Sequence, residues 1–125
     1  MISILSKQQL PEAGTDTGNL KIQITNTSNI PISNATIRIS YTGVPNSDFE
    51  TLNTDRNGQT QSIALSAPPL EYSLNSENNQ QPYSEYTINV SAPGYEEMDV
   101  SGIEILPETD SVQSVRLTPA EPDLQ

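Results

Sequence analysis

The 125-residue chain carries 16 acidic against 5 basic side chains, a formal net charge of -11, and contains neither histidine nor cysteine. A field of that sign repels phosphate backbones and anionic lipid headgroups, so no nucleic acid and no membrane partner is expected. Without His or Cys, Ser-His-Asp and Cys-His nucleophilic centres are excluded, as are disulfides and the usual zinc and haem ligand sets, and no cofactor or metal is expected.

The length predicts one domain that folds as a monomer. Apolar residues make up only 33% of the chain, yet they cluster in segments of period two, which predicts a thin sheet-on-sheet core. The apolar stretch at residues 2–5 is shorter than the ~7–15 residues of a secretory core, and Lys7 follows it where a signal peptide would place its cation first. No signal peptide is expected. No apolar run reaches the ~20 residues needed to span a bilayer.

In chain order, residues 1–18 read as a flexible lead-in, with Pro11, Gly14 and Gly18 among polar neighbours. The domain is placed at 19–118. Leu20, Ile22 and Ile24 alternate with Lys21, Gln23 and Thr25, which predicts a first strand with one apolar face. Residues 27–34 form a turn-rich loop interrupted by Pro31, and Ala35, Ile37, Ile39 and Tyr41 are the inward set of the next strand. A weaker strand is predicted at 49–53. Asn57-Gly58 then signals a hairpin into a fourth strand at 59–65.

Pro68 and Pro69 stop that strand, and Leu70, Tyr72 and Leu74 alternate briefly before a polar tract at 75–81, predicted to be a mobile loop. Tyr86, Ile88 and Val90 define another strand, and Ala92-Pro93-Gly94 turns the chain. In the following segment Met98 and Val100 are in phase, whereas Ile103 and Ile105 have the opposite parity. That one-residue phase change predicts a β-bulge or kink at Ser101-Gly102. Val115 and Leu117 close the sheet, and 119–125 is a Pro-rich linker. Seven or eight short strands, with turn signals about every 8–12 residues and no helix, predict an all-β Greek-key sandwich.

The chemistry left to such a chain is carboxylate chemistry, but a thin sandwich rarely offers the deep cleft that a carboxylate pair of a glycosidase requires. Asp55 and Asn57 lack the further spaced oxygens of a calcium loop and read as a turn. Glu96, Glu97 and Asp99 could together hold a divalent ion, but acids in a sheet protein this negative are expected to face water. Lys21 and Asn89, the pair that could form an isopeptide crosslink, sit out of phase with their aliphatic neighbours, which keeps the lysine solvated and unreactive. Asn26, Asn34 and Asn89 match the N-glycosylation pattern, a frequent match in a chain so rich in Asn, Ser and Thr. The candidate binding residues are Tyr83 and Tyr95, aromatics beside turns that could stack on a glycan or a partner, or instead cap the sandwich ends.

Residues 19–24, then Pro31-Ile32-Ser33-Asn34-Ala35-Thr36-Ile37-Arg38-Ile39, then Thr54-Asp55-Arg56-Asn57-Gly58, resemble the transthyretin-like, carboxypeptidase-regulatory-type sandwich. A strand, P-I-x-x-A-x-V-x-I and T-D-x-x-G recur in that order there. Downstream, Ala67-Pro68-Pro69-Leu70-Glu71-Tyr72-Ser73-Leu74, Gln81-Pro82-Tyr83-Ser84-Glu85-Tyr86, Ala92-Pro93-Gly94-Tyr95 and Ile103-Glu104-Ile105-Leu106-Pro107 are similar to the N-terminal non-catalytic region of spore cortex-lytic enzymes. That resemblance implies a bacterial, spore- or envelope-associated accessory domain, the pro-region or scaffold of a cell-wall hydrolase, with that hydrolase or peptidoglycan as partner. It transfers no catalytic residue. The structural alternative is a spacer or adhesin-stalk module of a surface protein.

Overall fold

The computed structural model describes residues 16–44, 46–70 and 81–120. They form seven strands: β1 (Asp16–Asn26), β2 (Thr36–Tyr41), β3 (Glu50–Asn53), β4 (Ile63–Ala67), β5 (Ser84–Ser91), β6 (Met98–Ile105) and β7 (Asp110–Leu117). One sheet has the order β4-β1-β7 and the other β3-β2-β5-β6. All pairings are antiparallel except β1 with β7, which run parallel from Asn19 opposite Asp110 to Asn26 opposite Leu117. The protein is a β-sandwich, with no helix among the described residues.

The period-two pattern determines which side chains meet between the sheets. Leu20, Ile22 and Ile24 of β1, with Leu65, Val115 and Leu117, face Ile37, Ile39, Tyr86, Ile88, Val90, Ile103 and Ile105 across the core. Each such side chain contributes about 1.5–3 kcal/mol relative to remaining exposed. Lys21 and Asn89 point to the outer faces of different sheets, so the core separates them.

Several boundaries move. The first strand starts at Asp16, opposite Ala67 of β4, and Gly18 is already buried, so residues 16–18 belong to the sheet and not to the lead-in. At the other end, Pro119 bridges to Tyr95 and the Ala120 amide donates to Gly94 O. The expected segment at Tyr72 and Leu74 and most of the loop at 75–81 lie outside the described residues.

The bulge forms where the phase change placed it. Tyr86 pairs with Ile103 but Ile88 pairs with Val100, leaving Ser101 and Gly102 opposite the single residue Thr87. Gly102 takes φ +73°, a left-handed conformation open to glycine without strain. Beyond it Ile103 and Ile105 are buried and Val100 packs on the core; Met98, expected inward, is 42% exposed at the far end of this edge strand.

The Asn57-Gly58 hairpin requires correction. A tight turn is present: Gly58 N donates to Asp55 O, and Asp55 Oδ1 accepts from the amides of Asn57 and Gln59. The flanking strands do not pair, however, because β3 lies against β2 and β4 against β1. After the turn the Ile24 amide donates to Gly58 O and the Thr60 amide to Ile22 O, so the chain crosses to the other sheet. The fourth strand accordingly begins at Ile63, with Gln59 contributing a lone bridge to Gln23.

Candidate functional site

The register assigns side chains to two ends of the sandwich. At one end are Asp16, Ala67, Tyr41 and the start of β5; at the other are Asn26 and the end of β5. Tyr83 immediately precedes β5, half-buried, with its carbonyl accepting from Gln81 Nε2. Tyr95 follows β5; it packs on the core, and its hydroxyl lies 3.5 Å from Asn26 Nδ2, which donates to it. Eight strand residues at about 3.3 Å each separate them, so Tyr83 and Tyr95 occupy opposite ends and cannot grip one ligand together. The hydrogen bond and packing of Tyr95 are those of an end cap.

The fold assembles a different aromatic group, which the sequence pattern did not reveal. Tyr41 has the inward parity expected of it but is the last residue of β2, at the mouth of the sandwich, and remains 44% exposed. The β2–β3 loop returns Phe49 beside it, with the Phe49 amide donating to Ile39 O. Their rings stack at 4.8 Å, and each lies 5.8 Å from the Tyr86 ring. Tyr86 is buried, and its hydroxyl donates to Ser66 O of the opposite sheet at 2.6 Å.

Burial, reinforced by the neighbouring Tyr41 and only partly offset by a hydrogen bond with Ser84, pushes the Tyr86 phenol up to about 12. The folded state therefore resists ionising a group that titrates near 10 in the unfolded chain. Stability is expected to be unaffected by this group below about pH 10 and to fall from there towards pH 12, because only the unfolded chain then gains from ionisation. Urea midpoints measured from pH 8 to 12 should show that decline, and Tyr86→Phe should flatten it; a decline of equal steepness in the variant would overturn the assignment.

Two open clefts are formed among the described residues. The larger, about 470 Å³, lies in the crook of the β3-to-β4 crossover, between residues 51–54 on one wall and 59–61 on the other, with Asp55 at its end. The smaller, about 310 Å³, is lined by Ser40, Tyr41, Gly43, Val44, Thr87 and Ser101, among others. In the larger, the hydroxyls of Thr54 and Thr60 are already bonded to backbone: Thr54 Oγ1 donates to Ile32 O and accepts from Ala35 N, and Thr60 Oγ1 accepts from Ile22 N.

The acids near β6 serve a structural contact. Asn89 Nδ2 donates to Glu97 Oε2 and to Asp99 Oδ1, both at 2.7 Å, while Glu96 is exposed and its amide donates to Thr118 O. Among the described residues no group of three His, Cys, Asp or Glu is placed to hold a metal ion. Asn26 Oδ1 is engaged in its own turn, accepting from the amides of Ser28 and Ile30.

No family model matches the sequence, and no curated protein matches it. Solved structures do. The chain is similar to 3-chlorocatechol 1,2-dioxygenase from Rhodococcus opacus 1CP, at a TM-score of 0.59 and 10% identity over 90% of this chain and 64% of that one. It is similar to catechol 1,2-dioxygenase from Pseudomonas arvilla C-1, at a TM-score of 0.60 and 12% identity over 90% of this chain and 55% of that one. It is also similar to the Bacillus anthracis TIE protein, at a TM-score of 0.56 and 16% identity, over 83% of this chain but only 17% of that one. The chain thus spans less than two thirds of each, and at such identities the likeness shows the β-sandwich fold alone.

Proposed function

We propose that this chain is a non-catalytic interaction domain that positions, or holds latent, a peptidoglycan hydrolase of the spore cortex or cell envelope. The observation that carries the non-catalytic half is the distribution of carboxylates: among the described residues, one, Asp55, lines the larger cleft and none lines the smaller. Glycoside hydrolysis needs two, about 5–9.5 Å apart across the substrate. The absence of histidine anywhere in the chain removes the imidazole ligands that suit redox iron, so the dioxygenase likeness does not extend to that chemistry. The cell-wall half is supported by the succession of Ala-Pro-Pro, Gln-Pro-Tyr-Ser and Ala-Pro-Gly-Tyr segments.

The test is sedimentation with purified cortex peptidoglycan. The full chain is expected to co-sediment without lowering the turbidity of the suspension, and Tyr83→Ala, which removes a ring at one end without touching the core cluster, is expected to reduce retention several-fold. Equal recovery of both proteins in the supernatant would remove the glycan version, and clearing of the suspension would restore an enzymatic one.

The second reading is a spacer within a long surface protein. It is favoured by the match to the Bacillus anthracis TIE protein, where a fold of this kind occupies 17% of the chain. Tandem copies of the domain in the parent gene would support this reading, and a fused or neighbouring hydrolase would support the first.

A further inference from the structure

We infer that the open edge of β3 binds an extended, basic peptide segment of a partner protein, added as a fifth strand to the four-stranded sheet, with an aromatic anchor at one end and a carboxylate at the other. The inference builds on the reading of the chain as an interaction domain and specifies where the contact is made.

Sheet edges in natural proteins are blunted, since an unpaired row of N–H and C=O groups recruits other strands. Three of the four edges here carry devices that bar a further strand, whereas β3 is protected only by its four-residue length and by Glu50, an acid that does not repel a basic segment. The β6 edge is broken by the bulge at Ser101-Gly102, β4 runs into Pro68 and Pro69, and β7 carries Asp110 and Arg116, whose side chains are tied to Asn19 and Asn29. The β3 edge has neither proline, lysine nor bulge; among the described residues it pairs with β2 alone, and the larger cleft opens beside it.

The groups along this edge are ordered. Phe49, 41% exposed and stacked on Tyr41, stands where β3 begins, with Val44 52% exposed in the same loop. The cleft follows, where the side chains of Thr51, Gln59 and Gln61 make no hydrogen bond among the described residues and can serve a peptide backbone. Asp55 closes it: Oδ1 holds the turn amides, and Oδ2 has no partner among the described residues. A net charge of -11 favours a cationic ligand throughout. With no aromatic platform inside the cleft itself, a strand fits better than a sugar. Antiparallel to β3, like every other pairing in this sheet, the ligand sets a basic residue against Asp55 and an aromatic one against Phe49.

The probe is a capped seven-residue peptide with lysine first, phenylalanine last and alternating threonine and valine between, titrated into the ¹⁵N-labelled full chain. Saturable amide shifts are expected at residues 49–55 and 59–61. Phe49→Ala and Asp55→Asn are each expected to weaken binding about tenfold, roughly the 1.4 kcal/mol of one contact. The asparagine keeps an oxygen for the turn amides, so its dispersed spectrum secures the result should the Phe49 variant fail to fold. No saturation by about 1 mM peptide, shifts centred on β6 or β7, or equal binding of the same peptide in reversed order would each overturn the proposal. The titration contains no peptidoglycan, so its failure leaves cortex retention standing, and a failed retention assay leaves a saturable peptide shift standing.

Discussion

Gly58→Ala is expected to destabilise the protein by about 3 kcal/mol or more, lowering its urea midpoint by about 1–3 M. Two costs coincide at this position. Gly58 has φ +74°, where an L side chain is strained by about 1–2 kcal/mol. A Cβ there would also lie 2.5 Å from Ile24 O, 3.0 Å from Pro31 Cβ and 3.1 Å from Ile32 N. None of these atoms is free to retreat. Ile24 O already accepts from the Ile32 amide, and Gly58 O accepts from the Ile24 amide at 2.7 Å, so displacing the turn breaks the crossover between the sheets.

Gly43 and Gly94 provide the control, with φ of +83° and +85° but nothing within 4 Å of the place a Cβ would take. Alanine at either should cost only the backbone strain, about 1–2 kcal/mol. A loss of about 3 kcal/mol is a large share of the ~5–15 kcal/mol that holds a domain together. Equal midpoints for the Gly58 and Gly43 variants would show that the contact with Ile24 relaxes freely, contrary to this account.

Gly58 also marks the limit of what the sequence made legible. Each strand with alternating aliphatics was readable because the pleat alone decides which face a residue takes, and the bulge at Ser101-Gly102 was readable because a parity break has one simple backbone remedy. Pairing is a different matter. Asn57-Gly58 specifies a tight turn from local conformational preference, but which edge the emerging chain joins depends on β1, more than thirty residues away, whose backbone accepts Thr60 and Gln59. The parallel contact of β1 with β7 is equally non-local. No periodicity encodes such choices.

The same distinction applies to the candidate site. Tyr83 and Tyr95 stand out in the sequence as aromatics beside prolines and glycines, but position along the chain does not state which end of the sandwich each occupies, and β5 carries them apart. Phe49 does not stand out, being a lone phenylalanine next to a weak strand. It gains its place from the β2–β3 loop, which brings it onto Tyr41, and from the β2–β5 register, which sets Tyr41 opposite Tyr86. A signal did exist: an aromatic residue at the last inward position of one strand and another just before the next strand describe a pair joined across a hairpin mouth.

The second large effect is expected at Thr54, the residue that connects the β3 edge to the loop beneath it. Its hydroxyl is buried, donates to Ile32 O at 2.7 Å and accepts from the Ala35 amide at 2.9 Å, while its own backbone bonds to Ala35 O and to the Asn34 amide. Thr54→Val preserves shape and volume but leaves one buried carbonyl and one buried amide without the partner they had. At about 1–3 kcal/mol for each orphaned group, a loss of about 2–6 kcal/mol is expected. Thr54→Ser retains both bonds and gives up a methyl group, costing about 1 kcal/mol. The order is the diagnostic: on packing alone valine would be the milder change, whereas the hydrogen-bond account makes serine the milder one. Because Asp55 follows directly, the valine variant should also hold the carboxylate of the proposed peptide edge less firmly, weakening peptide binding even below the midpoint of unfolding. Urea titrations placing valine at or above serine in stability would show that the hydroxyl is not what fastens this edge to the core.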